Sequence, residues 1–194
     1  MVGDPYEAIE DPACYPGTAV LINLPELRDQ AELDAFERVE VGERSFDPMP
    51  EGAFDAAHYR AIHEHLFGNI YPWAGEYRTI RTGKGGNWFA FPEYIPGEMG
   101  RLFARLNAPA FLPGGDADDF IVAAAEFLGD LNAIHPFREG NGRTQLIFLR
   151  QLGLRAGHPF RSEAVEAHEF LFAMIESFHG RMDALVDELE RMRG

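Results

Sequence analysis

The chain has 194 residues, is 46% hydrophobic and carries a formal net charge of −15. That length and apolar content suffice for one well-buried domain, while the acidity argues against direct nucleic-acid binding, which needs clustered Lys and Arg. No run approaches the ~18 apolar residues of a membrane span, there is no basic-then-apolar leader, and Cys14 as the single cysteine permits no internal disulfide, so a cytoplasmic protein is expected.

In chain order the sequence predicts helices and little else. Residues 1–28 are irregular, interrupted by Pro5, Pro12, Pro16 and Pro25. A helix is expected over 29–44, capped by Asp29, with Leu33, Phe36 and Val39 at three-residue steps. Asp47-Pro48-Met49-Pro50-Glu51-Gly52 ends it. The next helix, 54–67, places Tyr59, Ile62, His63 and Leu66 on one face. Residues 76–91 are the β candidate: Tyr77 to Arg81 and Trp88 to Phe91 flank Thr82-Gly83-Lys84-Gly85-Gly86-Asn87, a loop rich in hairpin residues. A helix broken near Pro96 is expected over 94–110. Phe120, Ala124, Phe127 and Leu131 mark another over 117–133, and one begins at Asn141. After a turn at Gly157-His158-Pro159 come helices near 163–178 and 181–192. With no repeat or low-complexity linker, the expectation is a single all-α domain, 1–194, with one β-hairpin.

The chemistry concentrates in His135-Pro136-Phe137-Arg138-Glu139-Gly140-Asn141-Gly142-Arg143-Thr144. A glycine-rich turn that opens a helix presents free N–H groups and the positive end of a dipole to an anion. Gly140 and Gly142 remove side chains that would block a phosphate, and Asn141 and Arg143 add donors. Glu139 is a hard oxygen ligand suited to Mg²⁺. His135 has the near-neutral proton affinity a general base requires. Phe137 reads as a core anchor, and Arg138 as solvated or partner-facing. His58, His63, His65 and Glu64 lack a metal-binding spacing and read as structural. Lys84 is the sole lysine, 16 of the 17 basic residues being arginines.

At these residues the chain resembles the Fic family, whose motif is His-x-Phe-x-(Asp/Glu)-Gly-Asn-Gly-Arg-x-x-Arg. Every specified position matches except the last, where Leu146 stands for arginine. Tyr15-Pro16-Gly17-Thr18, the stretch from His65 to Arg78, and Lys84-Gly85-Gly86-Asn87-Trp88-Phe89 extend the likeness over roughly residues 6–180.

The resemblance implies a helical fold with the hairpin as a flap that holds a target segment, here through Lys84, Gly85, Asn87, Trp88 and Phe89. It implies a nucleotidyltransferase that moves AMP from ATP to a Tyr, Ser or Thr hydroxyl of a target protein. His135 is then the base, Gly140, Asn141, Gly142 and Arg143 the nucleotide-binding turn, and Glu139 the Mg²⁺ ligand. Two other readings stay open: transfer of UMP, GMP, a phosphoryl group or phosphocholine in the same pocket, and a decayed binding module. Fic proteins are commonly restrained by Ser/Thr-x-x-x-Glu-Gly/Asn. The nearest sequence here, Ser162 to Glu166, is followed by Ala167, which leaves two readings open: a separate small antitoxin as partner, as in toxin–antitoxin members, or no inhibitor at all.

Overall fold

The computed structural model describes residues 11–84, 86–161 and 166–193. Among them are seven α-helices: α1 (Gln30–Arg44), α2 (Ala56–Phe67), α3 (Ile95–Ala104), α4 (Ala117–Ile134), α5 (Asn141–Ala156), α6 (Ala167–Phe178) and α7 (Asp183–Met192). A two-stranded antiparallel hairpin, β1 (Gly83–Lys84) and β2 (Asn87–Trp88), lies between α2 and α3.

The helix starts follow from local chemistry. Asp29, Asp55 and Asp116 each accept hydrogen bonds from the first-turn N–H groups of α1, α2 and α4, satisfying donors that have no partner inside the helix. Pro96 does not break its helix. It sits in the first turn of α3, where a missing N–H costs nothing.

Helix α4 is the central element, packed against α3, α5, α6 and α7. Its predicted stripe of Phe120, Ala124, Phe127 and Leu131 is fully buried. Phe148 of α5 packs its ring against Tyr59, Phe103 and Phe127 at centroid distances of 5.3–6.0 Å. This aromatic cluster fixes α2, α3, α4 and α5 around one core. No described helix is long and apolar enough to cross a membrane.

Two further expectations are corrected. In α1 the buried residues are Leu33 and Val41, whereas Val39 is 58% exposed. Three-residue steps drift off a face of 3.6-residue period, so the inward line runs through 33, 37 and 41. The hairpin strands are also shorter than expected and fall mostly inside the stretch assigned to the loop, only Trp88 belonging to an expected strand, with Gly83 opposite Trp88 and Lys84 opposite Asn87. Gly86, with φ +81°, supplies the left-handed backbone of the tight turn.

Candidate active site

His135 terminates α4 in the left-handed region, at φ 48° and ψ 66°. That is uncommon for a residue with a side chain and persists only when its surroundings enforce it. Two neighbours do so. Phe89 stacks on the imidazole at 3.8 Å, nearly parallel. Arg78, itself buried, donates from Nε to the His135 carbonyl (2.8 Å) and from Nη2 to those of Ile134 (3.1 Å) and Ala90 (2.6 Å), while Nη1 donates to Ile80 (2.6 Å). One guanidinium thus satisfies the last carbonyls of α4 and fastens both ends of the flap to them. Burial, with Arg78 and Lys84 nearby, pushes the proton affinity of His135 down to about 3. The ring is therefore neutral at physiological pH and able to accept a proton.

The loop that follows is cross-tied. Phe137 is fully buried and stacks on His63 at 3.8 Å. His63 Nδ1 accepts from Gly75 N (2.8 Å), which leaves Nε2 as the protonated atom donating to the Glu139 carbonyl (3.0 Å). Burial drives His63 down to about 3, so it is a neutral structural residue, as its sequence context implied. Asn141 is the second tie. Its Oδ1 accepts from Phe137 N (3.0 Å) and its Nδ2 donates to Phe137 O (2.9 Å). The expectation of a phosphate-facing Asn141 side chain is therefore corrected: it is 1% exposed and both polar atoms are engaged. What this residue can offer an anion is its main-chain N–H.

Gly140 precedes α5 with φ +80°, and a Cβ there would lie 2.4 Å from the Phe67 ring. Glycine is required at 140 by packing and backbone conformation. At Gly142 a Cβ would meet nothing within 4 Å, and there the missing side chain leaves open space. With no side chain at the cap, the first turn of α5 keeps its N–H groups uncapped.

These groups border one cavity of about 350 Å³, lined by Lys84, His135, Glu139, Gly140, Gly142, Arg143, Gln145 and Leu146, with an apolar wall from α6 that includes Phe170 and Met174. Glu139 Oε1 accepts from Gly140 N (2.8 Å) and from Arg143 Nη2 (3.2 Å). Its Oε2 has no hydrogen bond among the described residues. Burial raises the Glu139 proton affinity, with Gly140 N–H and Arg143 opposing it. Mg²⁺ needs only one or two protein carboxylates when phosphates and water complete its shell, and Glu139 fits that requirement. No larger cluster of metal-binding side chains exists among the described residues.

Three participants went unread in the sequence. Glu37 of α1 pairs with Arg143 at 2.6 Å and accepts from the Tyr71 hydroxyl. Its place on the line through Leu33 and Val41 was the available signal. Arg78 is the second. Gln145 is the third: it is 2% exposed, lines the cavity, and its Nε2 has no partner among the described residues.

Other expectations change. Arg138 is buried, and its Nε pairs with Asp11 at 2.5 Å, tying the N-terminal segment to the loop. Phe89 is buried against His135 and cannot be a target-facing residue. Trp88 is 41% exposed with Arg81 over its ring, and Asn87 is half-buried; neither lines the cavity. Gly85 lies outside the described residues, as do positions 162–165 of the sequence compared with the inhibitory motif.

Fold and site together define a helical protein in which an uncapped helix start and a neutral histidine share one cavity. Residues 53–153 match the model of the Fic/DOC family, and the chain belongs to that family. It is 50% identical over 188 residues to a probable protein adenylyltransferase, y4lH, of Sinorhizobium fredii, covering 96% of this chain and 98% of the relative. It is 38% identical to the protein adenylyltransferase VbhT of Bartonella schoenbuchensis over 93% of this chain, a match that spans 38% of that longer protein. Among solved structures, the BepC protein of Bartonella tribocorum with bound AMPPNP superposes with a TM-score of 0.83 at 28% identity, covering 94% of this chain and 96% of that one.

Proposed function

We propose that the chain is a protein adenylyltransferase, transferring AMP from ATP to a Tyr, Ser or Thr hydroxyl of a target protein. The observation that carries this reading is the single cavity in which neutral His135 meets the uncapped start of α5. A relative of 50% identity bears the adenylyltransferase name over almost its whole length, and the BepC structure holds an ATP analogue.

The target hydroxyl oxygen attacks the α-phosphorus of ATP as His135 accepts its proton. The new P–O bond forms as the bond to the β-phosphate oxygen breaks, and pyrophosphate leaves. The α5 N–H groups, the turn of Gly140 and Gly142, and Arg143 offset the charge that builds on the phosphoryl oxygens. Glu37 and Glu139 hold the Arg143 guanidinium from two sides. Mg²⁺ at Glu139 would supply charge neutralisation of the phosphates. Positioning and electrostatics thus carry the reaction.

The flap, through Lys84, Asn87 and Trp88, holds an extended target segment by main-chain pairing at its edge. Residues 1–194 act as one Fic unit in the cytoplasm, restrained by a separate small antitoxin.

The test is incubation of the protein with ATP, Mg²⁺ and a bacterial lysate, followed by mass spectrometry. An AMP adduct on a hydroxyl side chain is expected. An adduct of UMP, GMP, phosphate or phosphocholine appearing instead would favour the other transfers.

A further inference from the structure

We propose that Lys84 of the flap is the second cation of this site, contacting the distal phosphates of the bound nucleoside triphosphate. The inference rests on the reading of the cavity as a nucleotide site. Among the described residues, Arg143 on α5 and Lys84 on β1 are the two permanently basic side chains lining the cavity. Arg143 is already divided between Glu37 at 2.6 Å and Glu139 at 3.2 Å, so much of its charge is compensated before a ligand arrives. A triphosphate carries about three to four negative charges, and further cationic contact is needed to offset them.

Helix α5 does not provide it. Leu146, one turn beyond Arg143, adds apolar surface to the same cavity, beside Phe170 and Met174. Lys84 remains. It is an exposed side chain beside the hairpin turn, opposite Asn87. Its field reaches the imidazole of His135, where it disfavours the protonated form. A four-carbon stem ending in three rotatable donors suits phosphates whose positions shift as pyrophosphate departs. The chain uses arginine for every other basic residue, so a compact, strongly hydrated point charge is retained at this one place.

The experiment is calorimetric binding of ATP and of AMP, each with Mg²⁺, to the wild-type chain, Lys84→Met, Leu146→Arg and the double variant. Lys84→Met is expected to weaken ATP about tenfold while leaving AMP within about twofold. Adding Leu146→Arg should restore ATP affinity to the Lys84→Met protein. Melting temperatures establish that each variant is folded, because an arginine at a half-buried position can destabilise. If the Leu146→Arg proteins do not fold, Lys84→Arg replaces them and is expected to keep most of the ATP affinity. Unchanged ATP binding by Lys84→Met, even with slower transfer to the target, would overturn the assignment. So would equal losses of ATP and AMP, or a folded double variant without recovery. A wild-type chain that binds neither nucleotide would instead overturn the reading of the cavity itself.

Discussion

The loop from His135 to Arg143 and the flap from Thr82 to Phe89 border the same cavity and are built in opposite ways. The loop is buried and over-determined. His63, Asn141, Arg138 and Arg78 each fasten it, and its aromatic anchor Phe137 is fully covered. The flap has two strands of two residues each, joined by paired glycines, and exposes Lys84 and Trp88. Proton transfer to a neutral imidazole requires fixed geometry, and a one-ångström error there is costly. Accepting segments of a partner chain requires an accessible, adjustable edge. Phe89, buried at the end of the flap, belongs functionally to the rigid side, because it stacks on His135.

Substitutions should therefore sort by region. His135→Ala is expected to lower transfer by about 10²–10⁴, the usual contribution of a positioned base, while ATP affinity measured by calorimetry stays within a few-fold. Near wild-type transfer by this variant would remove His135 from the base role. Asn141→Ala should cost about 2–4 kcal/mol of stability, since it strands the buried N–H and C=O of Phe137. Thermal or denaturant unfolding measures this loss, and transfer should fall with it. A stable, active Asn141→Ala protein would mean that the loop does not depend on that tie.

Glu139→Ala is expected to raise the Mg²⁺ concentration needed for half-maximal turnover while leaving the fold intact. Full turnover in excess chelator would contradict a metal at this carboxylate.

The comparison also has a pH signature. His63 and His135 are held neutral, with proton affinities near 3 in the folded chain against about 6.5 unfolded. Between those values the unfolded chain binds more protons, so stability rises with pH and is lost as pH falls below about 6.5. Melting temperature followed from pH 7 to 4 should fall, and His63→Gln should flatten part of that slope if the variant folds. The neutral ring also predicts kcat/KM with no acid-limb loss near pH 6.5 from His135. The smallest effect on the fold belongs to the flap. Trp88→Ala should change stability by no more than about 0.5 kcal/mol, while the KM for the target protein rises and that for ATP does not. A general loss of stability would place Trp88 with the rigid region.

Legibility in the sequence followed the same division. Helices α2, α4 and α5 could be read because apolar residues at helical spacing run between glycine and proline breaks. The hairpin could be located but not bounded, since two-residue strands are too short to display an alternating pattern. Glu37, Arg78 and Arg138 were missed for one physical reason. Charged side chains are read as solvated by default, and their burial here is sustained by partners remote in sequence. Asn141 was misassigned because composition announces a donor without saying that the donor is already used. Among the described residues, only the structure shows that Gln145 faces the cavity.

Transfer of differently labelled ATP tests the central claim most directly. The wild-type chain is incubated with its target and with ATP labelled on either the α- or the γ-phosphate, and label on the target protein is counted. The account predicts that α-label becomes protein-bound, γ-label is released with pyrophosphate, and His135→Ala lowers the rate of labelling by about 10²–10⁴. Protein-bound γ-label without α-label would show phosphoryl transfer from the terminal phosphate, and would contradict attack at the α-phosphorus.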